Sequence, residues 1–392
     1  MSHKLINHSP DLKKLQNEGF EVEIEGGFLL INNIPYLNSG KTVMRGILVS
    51  KLTLAGEITT RPEDHVVYFV GEFPCDSDGN NILALGDPNQ AQQNLTEEIT
   101  INFSFSSKPS DGYKDYYEKM TTYVKILSGP AQSIDSSVNA NTFNLVESQE
   151  EDSVFNYFDT NSSRAEIDTI SAKLKNIKVA VIGLGGTGSY VLDLITKTPV
   201  KEIHIFDGDE FLQHNAFRAP GAASIEELKQ KSKKVVYLKE KYSKMHKYII
   251  SHDYHINETN LDELIGMDYV FICMDGGEIK KLIVEKLKTN GISFIDTGVG
   301  IEDVDERLVG SVRTTISSRN KNDHIDNRIP FSDGGNEDYV QNIQIADLNM
   351  LNAALAVIKW KKMCGFYDDK ENEFHSVYNI NINNIINDEN LS

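Results

Sequence analysis

The sequence predicts an α/β protein in which a smaller, β-rich α+β domain precedes a domain built on a doubly wound, mostly parallel sheet. Three observations support this prediction. Short apolar runs separated by Asn, Gly, Ser and Pro fill residues 20–75. From about residue 155 onward, strand-like and helix-like segments alternate. The first strand of that series leads into a glycine-rich turn, VAVIGLGGTGSY, and then into a helix.

Residues 1–140 are predicted to form the N-terminal domain. FLLINNIPYL, VMRGILVSKLTL and HVVYFVGEFP have the composition and flanking turn residues of strands. EITINFSFSS alternates with period two, which predicts one strand with a single apolar face. The residues expected on that face are Ile99, Ile101, Phe103 and Phe105. KDYYEKMTTYVKIL predicts a helix packed on this sheet, and the polar residues 141–154 predict a linker.

Residues 155–392 are predicted to form the second domain. The expected strands are 179–182, 202–206, 269–273 and 293–296. The expected helices are 164–175, the segment after the glycine turn to 194, 225–247 and 279–290. Near the C-terminus, Ile345, Leu348, Leu351, Leu355 and Ile358 recur at helical spacing, and Gly365 is expected as the C-cap. This last helix is predicted to bury those five residues in the core.

The composition limits the possible partners and cell compartments. The net charge of −19 would repel nucleic acid and anionic membrane surfaces. The chain has no run of 18 apolar residues, and residues 1–20 lack a signal-peptide core, so we expect a soluble, cytoplasmic protein. Cys75, Cys273 and Cys364 form no CxxC pair, so neither a disulfide framework nor a cysteine-rich zinc site is predicted.

The glycine-rich turn has the pattern of a phosphate-binding loop. Gly183, Gly185 and Gly188 fit G-x-G-x-x-G. The first allows a tight turn, the second lets phosphate approach the backbone, and the third lets the helix pack on the strand. Gly186 lies among them, where the helix begins to offer free N–H groups to phosphate. Asp207 closes the next strand and is placed to bind a ribose hydroxyl, so this Rossmann-like arrangement suits NAD as well as ATP.

The residues after that strand favour ATP. GDEFLQHNAFRAPGA places Asp209, Asn215 and Arg218 beyond the same strand end. A dehydrogenase needs no arginine there. Transfer at the α-phosphate of ATP does need the leaving pyrophosphate to be held, and the planar fork of an arginine suits phosphate oxygens.

Two further charged groups complete the predicted triphosphate site. The sequence KKVVYLKEKY offers a second cation, which is Lys233 or Lys234. Asp275 ends a later strand, in FICMDGG, and a carboxylate there could position Mg²⁺. Because the carboxyl ends of parallel strands meet at one crevice, these groups are expected to converge.

Four separated pieces, GLGGTGS, IFDGDEFLQHNAFR, KKVVYL and CMDGG, together resemble the ThiF/MoeB-type adenylyltransferases, whose relatives include the ubiquitin-activating enzymes. The resemblance covers about 155–392. It implies a homodimer that binds ATP and Mg²⁺ and adenylates the C-terminal glycine of a ubiquitin-like carrier protein. The extra N-terminal domain is similar to the arrangement in bacterial ubiquitin-like conjugation systems. That similarity implies a conjugating enzyme as a second partner and a docking role for residues 1–140.

The resemblance also implies a role for each candidate residue. Asp207 would bind the ribose, and Asn215 and Arg218 would contact the β- and γ-phosphates. Lys234, or alternatively Lys233, would contact the α-phosphate region, and Asp275 would position Mg²⁺. Arg164 would be donated into the ATP site of the partner subunit.

The sequence departs from the family pattern in three ways. Ala219 stands where the family has a glutamine, the two CxxC zinc pairs are absent, and no cysteine lies in 313–342, where many members carry a thioester nucleophile. Cys273 lies in a predicted core strand and is expected to be inert. The residues left open as a nucleophile for a second step are Cys364, Cys75, Ser317, Ser318 and Ser332.

Other activities compete with the adenylation of a carrier protein. One is adenylation of a peptide or another small carboxylate, and a second is NAD-dependent oxidation and reduction. A third is a nucleotide-binding scaffold without activity. Chemistry with NAD has no use for Asn215, Arg218 or Asp275, and a scaffold would have no reason to keep them.

Overall fold

The computed structural model describes residues 2–145, 153–331 and 343–390, and these divide into two units. Residues 2–145 with Ser163–Ala165 form the first unit, and residues 153–162 with 166–390 form the second. Within the described residues, no helix is long and apolar enough to cross a membrane.

The first unit is an antiparallel sheet with helices on one face. Its strands are β1 (Glu21–Glu25), β2 (Phe28–Leu37), β3 (Val43–Lys51), β4 (Leu54–Ala55), β5 (Ile58–Thr59), β6 (Val66–Val70), β7 (Gln93–Asn94), β8 (Thr100–Ile101) and β9 (Phe103–Ser106). Its helices are α1 (Ser2–His8), α2 (Pro10–Asn17) and α3 (Tyr116–Ile134). The main sheet has the order β1-β2-β3-β6-β9, and the predicted α+β architecture is confirmed.

One core cluster joins this sheet to its helices. Phe69 and Phe105 from the strands and Tyr116, Tyr123 and Leu127 from α3 are all buried in it. The Tyr116 hydroxyl donates to the backbone oxygen of the last residue of β3, so the tyrosine fixes α3 to the end of the central strand as well as filling the core.

The prediction that residues 98–107 form one strand with one apolar face is wrong. The strand is interrupted at Asn102, whose N–H donates to Phe69 O while its Oδ1 accepts from Gly71 N. Ile101 belongs to one apolar cluster and Phe105 to another. The interruption turns the second half of the segment onto the other face, as a bulge does.

The second unit is built on one eight-stranded mixed sheet. Its strands are β10 (Lys178–Ile182), β11 (Glu202–Phe206), β12 (Ile249–His252), β13 (Tyr269–Ile272), β14 (Ser293–Val304), β15 (Arg307–Ser317), β16 (Glu373–Asn379) and β17 (Asn384–Asn390). The α-helices from residue 160 onward are α4 (Thr160–Arg164), α5 (Asp168–Ser171), α6 (Thr187–Ile195), α7 (Gln213–Ala216), α8 (Ile225–Gln230), α9 (Lys234–Tyr242), α10 (Glu278–Asn290), α11 (Ile325–Arg328) and α12 (Ala346–Met363). Short 3₁₀ turns lie at Ala172–Leu174, Leu261–Leu264 and Ile380–Ile382.

The strand order is β12-β11-β10-β13-β14-β15-β16-β17. The first five strands are parallel, and chain order reverses between β10 and β13, which is where doubly wound sheets bind ligands. The predicted alternation therefore holds as far as β14, except that the parallel edge strand β12 was not predicted. Beyond it the sheet continues with three antiparallel strands that the sequence did not indicate.

Helices cover both faces of the parallel strands because those strands are apolar on both sides. Val179 and Val181 of β10 face the core that α6 and α12 close, whereas Ala180 and Ile182 face the core that α10 closes. Near-continuous apolar strands of this kind are typical of buried parallel sheets.

Two predicted helices are broken in the structure. In place of the helix expected over 164–175, α4 ends at Arg164, Glu166 has a φ of 57°, and only the short α5 and a 3₁₀ turn follow. The helix expected over 225–247 ends after Gln230, and Lys231 has a φ of 49° before α9 begins. A left-handed residue cannot continue an α-helix, and helical periodicity alone does not reveal it.

The last helix lies where it was predicted, but it buries a different face. The side chains buried on α12 are Leu348, Asn349, Asn352, Ala353, Ala356, Val357, Lys359 and Trp360. Of the predicted face, Leu351 and Leu355 are only partly buried and Ile358 is 43% exposed. Gly365, with a φ of 68°, follows the helix as the expected C-cap glycine.

Candidate nucleotide site

The glycine loop joins β10 to α6 at the reversal in strand order. Gly183 has a φ of 84°, and a Cβ on it would lie 2.7 Å from Cys273 O. A Cβ on Gly188 would overlap the carbonyl oxygen of Gly183, so the helix approaches the strand backbone directly. These two glycines therefore do what the fingerprint requires of its first and third positions.

Gly185 has open space around it, unlike Gly183 and Gly188. Apart from its chain neighbours, no heavy atom among the described residues lies within 4 Å of the place where its Cβ would be. Space over a helix N-terminus is what a phosphate needs. Ser189, which the sequence analysis missed, donates its hydroxyl to Gly185 O and Gly186 O at 2.8 and 2.7 Å, so the loop carbonyls are drawn toward the helix.

This loop gives a matched pair of variants. Gly185→Ala adds a methyl group in open space, so its free energy of unfolding should stay within about 0.5 kcal/mol of wild type. Its affinity for ATP should fall about tenfold or more, because the methyl group occupies the phosphate position. Gly188→Ala should instead destabilise the fold by about 1–3 kcal/mol, through overpacking against Gly183. Chemical denaturation and ATP titration separate the two outcomes, and a folded G185A variant with unchanged ATP affinity would contradict the assignment.

Asp207 lies directly beside the loop. Its Oδ2 accepts from Leu184 N at 2.7 Å, its Oδ1 accepts from Asp209 N at 2.9 Å, and its side chain is 5% exposed. Two backbone donors therefore hold the carboxylate at the strand end, as a ribose-binding group requires.

A buried lysine completes this cluster. Lys234 begins α9, and its Nζ lies 2.7 Å from Asp209 Oδ2 and 3.4 Å from Asp207 Oδ2. The hydrogen bond from Lys234 lowers the pKa of Asp209. Lys233 instead donates to Gly208 O at 2.6 Å. The helix is interrupted at Lys231, so α9 begins at Lys234 and the first side chain of this helix reaches Asp207 and Asp209.

Asn215 and Arg218 lie on the segment after β11. Asn215 is 2% exposed, and its Oδ1 accepts from Leu212 N at the start of α7. Arg218 is half-buried, and its Nε is buried without a hydrogen-bond partner among the described residues. The arginine also forms no ion pair with a carboxylate in the described part of the chain, so its charge is available to an anion.

Asp275 follows β13 on the neighbouring strand end. The backbone just before it lies against the glycine loop, since a Cβ on Gly183 would lie 2.7 Å from Cys273 O. The Asp275 side chain is exposed. Lys280 Nζ donates to Met274 O and lies 2.6 Å from Asp296 Oδ1, so a buried ion pair fixes the loop that carries Asp275. The sequence analysis missed Lys280 and Asp296, because only the fold brings α10 and β14 together.

A second position for a cation lies at Asp207, Asp209 and His255, whose ligand atoms are all within 4.8 Å of one another. The ammonium group of Lys234 already contacts both carboxylates there. Mg²⁺ prefers oxygen ligands and retains several waters. A metal ion at this cluster would have to share both carboxylates with Lys234.

Arg164 is exposed at the end of α4 and belongs to the first unit. Its donation into a partner's site stays a prediction. The boundaries 1–140, 141–154 and 155–392 likewise stay predictions.

The candidate nucleophiles are mostly buried. Burial raises the pKa of all three thiols, to about 12 for Cys273 and to about 11 for Cys364. Cys75 is 1% exposed and Ser317 is 2% exposed. Ser318 is half-buried and its Oγ accepts from Lys321 N. Ser332 lies outside the described residues.

Comparison with known protein families assigns the second unit. The ThiF family matches residues 160–366, more than half of the chain. This chain belongs to the ThiF family. It is an ATP-dependent adenylyltransferase with a Rossmann-like domain, as the sequence analysis predicted. Residues 10–160 match a domain of unknown function, DUF6791.

Solved structures of two proteins, PaaA and MccB, are similar to part of this chain. PaaA is 16% identical over 59% of this chain and 80% of its own, with a TM-score of 0.46. MccB of E. coli is 17% identical over 57% of this chain and 65% of its own, with a TM-score of 0.44. A structure of MccB in complex with N-formylated MccA is 17% identical to this chain. The match covers 58% of this chain and 70% of the MccB chain, with a TM-score of 0.48. Among curated proteins, none matches this sequence.

Proposed function

We propose that this chain uses ATP and Mg²⁺ to adenylate the C-terminal carboxylate of a ubiquitin-like carrier protein. The substrate carboxylate attacks the α-phosphorus, the bond from that phosphorus to the bridging oxygen breaks, and pyrophosphate leaves. The products are an acyl-adenylate and pyrophosphate. Such a step asks the protein mainly for positioning and charge neutralisation.

One observation carries the proposal: the cations of Lys234 and Arg218 lie on segments that follow the strand beside the glycine loop. Lys234 is anchored by two carboxylates, whereas Arg218 forms no ion pair within the described residues. An uncompensated guanidinium suits the leaving pyrophosphate. NAD-dependent chemistry would use the loop and Asp207 but not these cations.

Several finer assignments belong to the same proposal. Asp207 binds the ribose, Asn215 and Arg218 bind the β- and γ-phosphates, and Lys234 contacts the α-phosphate region. Asp275 would hold Mg²⁺, which would neutralise charge on the leaving group. The family resemblance supports a homodimer in which Arg164 serves the partner's site, a docking role for the first unit, and a conjugating enzyme as the next partner.

The test is ATP–pyrophosphate exchange with a ubiquitin-like protein as the carboxylate substrate. We expect exchange with a free C-terminal glycine and none when that carboxyl group is amidated. Exchange that responds instead to short free peptides would favour the alternative of peptide adenylation. Reduction of NAD in place of exchange would refute adenylation altogether.

We further propose that no cysteine of this chain forms a thioester. Burial raises the pKa of Cys364 to about 11, so this thiol is mostly protonated near pH 8 and little of the reactive thiolate is present. Iodoacetamide should therefore alkylate the native protein much more slowly than the urea-unfolded protein at that pH. Recovery of a covalent carrier adduct that thiol reductants release would contradict this proposal, whereas an adduct stable to reductant would point to a hydroxyl nucleophile.

A further inference from the structure

Helix α12 buries two asparagines on a face that a core helix would normally fill with apolar side chains. Asn349 is 1% exposed and Asn352 is 0% exposed. Burying an amide costs free energy unless its donor and acceptor groups find partners. Each of these asparagines therefore needs a physical reason.

Asn352 has a structural reason. Its Oδ1 accepts from the Thr314 hydroxyl at 3.1 Å, and its Nδ2 donates to Gly298 O at 3.0 Å. Both ends of the amide are paired, so Asn352 ties α12 to β14 and β15.

Asn349 is paired at one end only. Its Oδ1 accepts from the Thr187 hydroxyl at 3.1 Å, whereas its Nδ2 is buried without a hydrogen-bond partner among the described residues. Thr187 is the first residue of α6, and Gly186 is the N-cap of that helix. The unpaired donor therefore lies at the glycine loop.

The amide packs directly on Gly186. A Cβ at that position would lie 2.7 Å from Asn349 Oδ1 and closer still to its Nδ2. This contact explains why residue 186 must be a glycine, although the G-x-G-x-x-G pattern leaves that position open. It also means that the asparagine limits how the Gly186–Thr187 segment can turn.

We propose that Asn349 is a positioning residue of the nucleotide site. Its amide fixes the Gly186–Thr187 segment, and its unpaired Nδ2 group adds positive potential where the N–H groups of α6 gather. A phosphate above the loop offsets the cost of leaving this donor buried and unpaired. This inference rests on the proposed binding of ATP, and it adds α12 to the elements that determine nucleotide affinity.

The test is the variant Asn349→Asp, which keeps the size and shape of the side chain but replaces the donor by a carboxylate. We expect the Kd of the full-length chain for ATP·Mg²⁺ to rise about thirtyfold near pH 8. Burial at this position should raise the pKa of the introduced carboxyl group, so we expect affinity to recover toward wild type as the pH falls to about 5.5 and the protonated group again resembles the amide. A Kd within threefold of wild type at both pH values would overturn the proposal.

Asn352→Ala is the matched control on the same helix. It removes two hydrogen bonds and should lower the Tm, yet it should leave the Kd for ATP·Mg²⁺ within threefold of wild type. If N352A weakened ATP binding as much as N349D, general loosening of α12 would explain both, and the proposal would fail. Should N349D not fold, Thr187→Val serves instead, with an expected fivefold rise in Kd, and no rise would count against the proposal.

Wild-type binding distinguishes this inference from the proposed function. If the wild-type chain does not bind ATP·Mg²⁺ at all, both are wrong. If the wild type binds ATP·Mg²⁺ and N349D binds it equally well at both pH values, only the role of Asn349 is wrong.

Discussion

Replacing Arg218 with alanine is expected to slow substrate-dependent ATP–pyrophosphate exchange about a hundredfold, the effect of losing about 3 kcal/mol of transition-state stabilisation. The reason is that the guanidinium group of Arg218 lacks a partner among the described residues. The guanidinium Nε is buried without a hydrogen-bond partner, and the side chain has no carboxylate ion pair within the described residues. A guanidinium without such a partner is stabilised most by a bound anion. Within the described part of the chain, its removal breaks no ion pair.

Arg218→Lys is the informative control. It keeps the charge but loses the planar fork, so its exchange rate should fall between wild type and R218A. Because Arg218 forms no ion pair with any carboxylate of the described residues, the Tm of both variants should stay close to wild type. Exchange by R218A at the wild-type rate, with a normal Kd for ATP, would contradict the assignment of Arg218 to the triphosphate.

Replacing Asp275 with alanine is expected to have the second large effect, a loss of exchange of about a hundredfold to a thousandfold. The exposed position of the side chain means that the fold should tolerate the change. The loop itself stays in place because Lys280 holds Met274 O and pairs with the buried Asp296. The loss should therefore come from the metal rather than from a displaced backbone.

A metal titration separates these causes. If Asp275 positions Mg²⁺, the D275A variant should need a much higher Mg²⁺ concentration for half-maximal exchange, while its affinity for metal-free ATP stays near that of wild type. Asp209→Ala is the comparison, since Asp209 contacts Lys234 and not the proposed metal position. A wild-type Mg²⁺ dependence in D275A, with the shift appearing in D209A, would move the metal to the cluster of Asp207, Asp209 and His255.

Much of the ThiF domain could be predicted because its parallel strands carry strong local signals. The strand 202–206 is confirmed to the residue, as β11. It is an apolar run that ends at an aspartate, and the glycine pattern before it fixes the connection to α6. The antiparallel strands β15 to β17 were missed for two reasons. The turn between β14 and β15 is made by Asp305 and Glu306, with φ values of 54° and 60°, rather than by the Asn-Gly or Gly pairs that signal a hairpin. The pairing of β15 with β16 is long-range, so no local pattern reveals it.

The candidate site was only partly visible in the sequence. Asp207, Asn215 and Arg218 follow strand ends, and motif spacing identifies them. The position of Lys234 depends on the left-handed residue Lys231, which helical periodicity conceals. Asn349 could not be found at all, because it reaches the glycine loop from a helix 160 residues later and carries no motif of its own.

The most direct test of the central claim is a crystal structure of the chain grown with ATP and Mg²⁺. The account predicts density for the triphosphate over the N–H groups of Gly185 to Gly188, with the ribose at Asp207 and the terminal phosphates at Arg218. Density for NAD in that crevice, or a crevice left empty at saturating ATP and Mg²⁺, would contradict it.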